Sequence, residues 1–126
     1  MWSTLVSRFT VPGSPMARGE AGADEEGWKR HCRDEAQAAH STVTRPITQP
    51  VKLVCHFHVL RQAKQHDIDN LIKNLIDAIG AGGFFAPSKK GGTRSQWNTD
   101  DNVVFAIEAT KDIVDENPRT DVELWI

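Results

Sequence analysis

The sequence predicts a small α/β (α+β) domain, a mixed sheet of about four strands flanked by two helices. Three observations carry this. Residues 51–60, VKLVCHFHVL, put Val51, Leu53, Cys55, Phe57 and Val59 on one side at the period of a strand. Residues 69–79 set Leu71, Ile72, Leu75, Ile76 and Ile79 in a stripe at helical spacing. The elements alternate as strand, helix, strand, helix, strand, strand within 126 residues, a length that suits one core and one domain over residues 1–126.

Taken in order, residues 3–11 (STLVSRFTV) mix β-branched and aromatic side chains and stop at Pro12–Gly13, which reads as a first or edge strand. Residues 12–26 are rich in Gly, Pro, Ala and acid and read as a flexible loop. From about Glu25 to His40, Trp28, Cys32 and Ala36 recur every fourth residue, giving a helix with one core-facing edge. Two prolines in STVTRPITQP then break it. The strand at 51–60 carries Lys52, Val54, His56, His58 and Leu60 on its other side, partly apolar, as a central strand would. The helix from Asp69 to Ile79 is expected to stop at Gly80. Residues 81–99 read as a second flexible, Gly-rich loop. DDNVVFAIEAT becomes a strand through Val103–Thr110, ENPR turns the chain, and TDVELWI is a last alternating strand.

Hydrophobic residues are 39% and charged residues 25%, ordinary for a globular protein, and the formal net charge is −2. That argues against a protein holding nucleic acid by overall charge alone, but not against a nuclease whose carboxylates bind a divalent cation. Two cysteines, Cys32 and Cys55, are too few for a disulfide framework. The start, MWSTLVSRFTVPGSP, lacks the basic and apolar regions of a signal peptide, and no run approaches the roughly 18 apolar residues of a membrane span. A cytoplasmic protein is expected.

The chemistry-bearing stretch is HDIDNLIKNLIDAIG, residues 66–80. Asp69, Lys73 and Asp77 are four apart and stack on one helix face, opposite the apolar stripe. Asp67 lies just before the helix, and Asp100–Asp101 sit at the mouth of a strand. Clustered carboxylates repel one another unless a cation lies between them. Mg²⁺ suits such a cluster, taking one or two carboxylates with water and substrate phosphate. Each group also has a plainer role: Asp67 or Asp69 as a helix cap, Asp69–Lys73 as a solvated ion pair, and Asp100–Asp101 as a turn.

The ordered pattern resembles the RusA-type Holliday junction resolvases of bacteria and of phages or prophages. Their motif is similar to D-x-D-N-x-x-K, then Asp–Ala four residues after the lysine, a Trp, and an acid pair before a strand. Here these are Asp67, Asp69, Asn70, Lys73, Asp77–Ala78, Trp97 and Asp100–Asp101. The likeness is strong over residues 50–126 and loose before that, where FTVPGSPMAR is similar to the family's first strand and loop. The resemblance implies a homodimer of small α/β subunits that nicks both opposed strands of a four-way DNA junction with Mg²⁺ or Mn²⁺. It assigns the metal to Asp67, Asp69 and Asp101, an essential catalytic role to Lys73, and supporting roles to Asp77, Asp100 and Asn70. In two places the sequence departs from the family. Residues 86–96, APSKKGGTRSQ, stand where members pass almost directly to the Trp, and the N-terminal loop is acidic where members are often basic.

Lys89, Lys90 and Arg94 are candidates for gripping a DNA backbone, or a solvated loop. His56 and His58 share a strand face, with His66 further on, but a closed zinc site needs four ligands and finger-like cysteine spacing is absent, so packed or surface histidines are expected. The function expected is a metal-dependent structure-specific endodeoxyribonuclease acting in DNA recombination and repair. The alternative is a non-cleaving binder of DNA junctions, or a phage or host interaction protein on the same fold.

Overall fold

In the computed structural model, which describes residues 2–16, 23–41, 45–61, 67–88 and 96–126, β2 (Val51–Leu60) is the strand around which everything else is arranged. Its odd-numbered residues Val51, Leu53, Cys55, Phe57 and Val59 are all buried, as their alternation requires. The other strands are β1 (Leu5–Pro12), β3 (Val104–Val114) and β4 (Arg119–Trp125), and the helices are α1 (Ala23–His40) and α2 (Ile68–Ile79). The sheet is mixed, in the order β1-β4-β2-β3. β1, β4 and β2 are successively antiparallel, while β2 and β3 are parallel and joined through α2. A parallel pair needs such a crossover, because a tight turn can only reverse the chain.

The register explains the core. Leu53 lies opposite Leu124, Cys55 opposite Val122 and Phe57 opposite Thr120, all buried. Trp28, Cys32 and Ala36 of α1 and Leu71, Leu75, Ala78 and Ile79 of α2 join this one cluster, so both helices cover the same side of the sheet. The other side carries Lys52, His56 and His58 beside Asp121 and Glu123 and is only half-buried. There His58 Nε2 lies 2.9 Å from Asp121, which also accepts a hydrogen bond from Thr10, and His56 meets Thr110. These two histidines are therefore engaged in cross-strand pairs. Burial opposes ionisation of Asp121, but hydrogen bonds from Thr10 and His58 and the charges of His58 and Arg119 outweigh it and hold the carboxyl below its usual range. His66 lies outside the described residues.

Most element boundaries differ from the sequence reading by a residue or two, α1 starting at Ala23 inside the stretch 12–26 expected to be a loop, and three further differences bear on the packing. β1 starts at Leu5, and β3 runs on to Val114 because its far end stays in register with Val59 and Leu60. The third difference is at Gly80, which was expected to stop α2. Gly80 is right-handed helical, and the chain continues through one π-type turn, residues 80–84, before Gly83 leaves it at φ 111°. The glycines here are contact points. Gly80 is closed in by Thr99 and Phe85, and Gly82 lies directly on α1. A Cβ at residue 82 would sit 2.7 Å from Ala36 Cβ and 3.0–3.1 Å from α1 backbone atoms. Gly82→Ala is therefore expected to cost about 1–3 kcal/mol, the usual penalty of overpacking, measured by chemical denaturation.

Cys32 and Cys55 are free and buried. Burial pushes the Cys55 thiol up to about 12, and burial, helped by Glu35, raises that of Cys32. Among the described residues, no helix is long and apolar enough to cross a membrane.

Candidate functional site

The apolar stripe of α2 fixes the direction of its polar side. With Leu71, Leu75, Ala78 and Ile79 buried against the sheet, Asp69 and Lys73 are left exposed and Asp77 half-buried. Asp67 is the N-cap residue, with extended backbone (φ −65°, ψ 139°). Its carbonyl accepts the amides of Asn70 and Leu71, at 3.1 and 3.3 Å, but its carboxylate makes no capping bond. The plain capping role is thus carried by the backbone, and the charged group faces outward. Lys73 forms no ion pair among the described residues, so the plain Asp69–Lys73 pair is also not made.

The acid pair before β3 divides its labour. Asp100 accepts the amide of Asn102 at 3.3 Å and sets the short 3₁₀ turn over Asp101–Val103. This is the usual local use of an aspartate in a turn. Asp101 is left exposed and lines a cleft of about 260 Å³ with Lys73, Ile76 and Asp77. Two parts of the sequence separated by a loop are thereby placed together, the lysine-bearing face of α2 and the mouth of β3.

The described residues on either side of segment 89–95 are tied to each other. Asp100 N donates to Ala86 O at 2.7 Å, Ser88 N donates to Asn98 O at 3.0 Å, and Pro87 bridges Thr99. This small antiparallel clasp holds residues 86–88 against residues 98–100, next to Asp101. Lys89, Lys90 and Arg94 lie outside the described residues.

Lys29 has no distinguishing signal in the sequence, yet it ties the site together. Its Nζ lies 3.6 Å from Asp77 Oδ2 and 4.5 Å from the centre of the Trp97 ring, with the side chain only 11% exposed. A cation over an indole face and beside a carboxylate satisfies both partners and makes its own burial tolerable. This clamp joins α1, α2 and the loop before β3. Asp77 is accordingly shared between the cleft and the clamp.

The sequence matches no protein-family model and no curated protein. Asp67 and Asp69 are at the N-terminal end of α2, while Asp101 is brought to Lys73 and Asp77 nearer its C-terminal end. At 1.5 Å per residue, Asp67 is about 15 Å and Asp69 about 12 Å along the axis from Asp77. Among the described residues no three His, Cys, Asp or Glu side chains come close enough to hold a metal ion together. Each end nevertheless supplies the one or two exposed hard oxygen donors that Mg²⁺ accepts when water and phosphate complete its octahedron.

Proposed function

We propose that the protein is a Mg²⁺-dependent, structure-specific DNA endonuclease that resolves four-way junctions by paired nicks, as a homodimer similar to the RusA-type resolvases. The observation that supports this best is the cleft in which Asp101 meets Lys73 and Asp77. The motif that suggested a nuclease is split along the chain, and folding places its lysine and its last acid at one opening.

In this reading Asp67, Asp69 and Asp101 would hold the ion, which when bound supplies an activated water and polarises the phosphodiester. Lys73 meets the scissile phosphate and the charge that builds on it. Asp77, held by Lys29 beside Trp97, keeps the lysine face of α2 against the mouth of β3, and Asp100 fixes the turn that presents Asp101. Asn70 supports the start of α2. The ends of α2 keep Asp67 and Asp69 apart from Asp101 within one chain. A second subunit turned end for end would set the partner's Asp101 toward them. Such two-fold symmetry also matches the two equivalent scissile phosphates of a junction.

Substrate choice tests the proposal. End-labelled four-way junction and linear duplex of the same sequence are incubated with protein and Mg²⁺. Symmetric nicks near the branch point, with the linear duplex intact, are the expected result. A retarded junction band without nicks would instead favour a binding protein on this fold.

A further inference from the structure

Four large apolar side chains are exposed among the described residues, and three of them lie on one strand: Phe105 at 70%, Ile107 at 47% and Ile113 at 49% exposure, all on β3. β3 is the edge of the sheet, paired on one side with β2 and with no strand on its outer side among the described residues. In register, Ile107, Ala109, Lys111 and Ile113 lie opposite Leu53, Cys55, Phe57 and Val59, so they are on the helix-covered side, where Ala109 packs against the core and Ile107, Lys111 and Ile113 are left exposed. Phe105 precedes them at a register shift. Edge strands are ordinarily blunted by short length, proline, bulges or charges. This one has 11 residues and no proline, its bulge is confined to its first end at Phe105, and Lys111 is the one charge on its core side, between exposed Ile107 and Ile113.

We propose that β3 pairs antiparallel with β3 of a second copy of this chain, about a two-fold axis through Ala109, making one continuous sheet across the dimer. The register follows from charge and from the length of strand that is paired. A two-fold perpendicular to the sheet sets residues of the same side opposite one another. Centred on Ala109, Phe105 meets the partner's Ile113, Ile107 lies against the aliphatic stem of the partner's Lys111, Glu108 meets the partner's Thr110, and Ala106 meets the partner's Asp112. No like charges face each other. Centring on Glu108 would oppose two glutamates, and centring on Thr110 would oppose Glu108 and the partner's Asp112, both unfavourable; centring on Ile107 opposes no like charges but leaves Lys111–Val114, with Ile113, beyond the partner strand. The chosen register also pairs Phe105 of each copy with Ile113 of the other at the two ends of the seam, with the two small Ala109 side chains at its centre. The pairing stands whether or not the protein cuts DNA.

Sedimentation at micromolar concentration should give twice the chain mass of 14.0 kDa. Ile107→Lys sets a like charge against the partner's Lys111 at two symmetric places, and should weaken the dimer at least roughly tenfold while leaving the circular dichroism unchanged. For the register, chains carrying Phe105→Cys are mixed with chains carrying Ile113→Cys under mild oxidation. The mixture should form a disulfide-linked dimer and neither variant alone should, since Cys32 and Cys55 are buried. Wild type at single-chain mass overturns the proposal. A dimer indifferent to Ile107→Lys overturns the β3 interface, and crosslinking of either variant alone overturns the register; both leave the nuclease reading to its own assay.

Discussion

Asp101→Asn is expected to reduce junction cleavage by at least a factor on the order of 10²–10³ without loosening the fold, and Asp67→Asn and Asp69→Asn are expected to do the same. All three side chains are exposed, so an isosteric amide disturbs no packing. What it removes is a negative oxygen that a hard cation prefers. Junction binding should survive or tighten, because repulsion between the site and the DNA phosphates falls. Asp100→Asn is the control. Its carboxylate accepts the Asn102 amide, and an asparagine side-chain oxygen can accept the same bond, so cleavage should stay within a few-fold of wild type. Rates are read in single turnover with junction in hand, and melting curves verify the fold. Near-normal nicking by any of the first three variants removes that residue from the metal assignment.

Lys73→Met should leave the melting curve near wild type and slow cleavage at least about a hundredfold. The stability half follows from exposure, since Lys73 is on the open face of α2 and forms no ion pair among the described residues. An exposed pair would in any case contribute less than about 1 kcal/mol. The rate half follows from the cleft. Beside Asp101 the ammonium is placed to meet a phosphate, and losing one such donor removes charge stabilisation that matters chiefly in the transition state. Lys73→Arg should also be impaired, because a planar guanidinium does not occupy the position of a compact ammonium. A Lys73→Met protein that cleaves at the normal rate would make this residue part of an ordinary solvated helix face.

The parts of the fold with a strong local period were legible in the sequence. The alternation of β2 and the apolar stripe of α2 fixed which side of each is buried, and burying those sides is what left Asp69 and Lys73 outside. The order of strands was not legible, because pairing depends on contacts between residues far apart, such as Leu53 with Leu124. The glycines after α2 misled, since glycine at a helix end and glycine under a crossing helix look alike in sequence. Gly82 is needed where the turn lies against Ala36. Within the site, the sequence named Asp101 and Lys73, and folding brought them together. It could not show Lys29, an ordinary lysine in α1 whose role exists only once Asp77 and Trp97 are beside it. Nor could it show that Asp67 and Asp69 lie at the other end of α2, because motif spacing gives order along the chain and not distance across it.

Under the proposed function, divalent metal held by these carboxylates cuts branched DNA. The most direct measurement is the rate of junction nicking as free Mg²⁺ is raised from a chelated zero, repeated with Mn²⁺. No nicks are expected in chelator, then a rate that rises with Mg²⁺ and saturates, with recovery in Mn²⁺. Equal nicking in chelator, or bound junction that stays intact at every metal concentration, would contradict the proposed function.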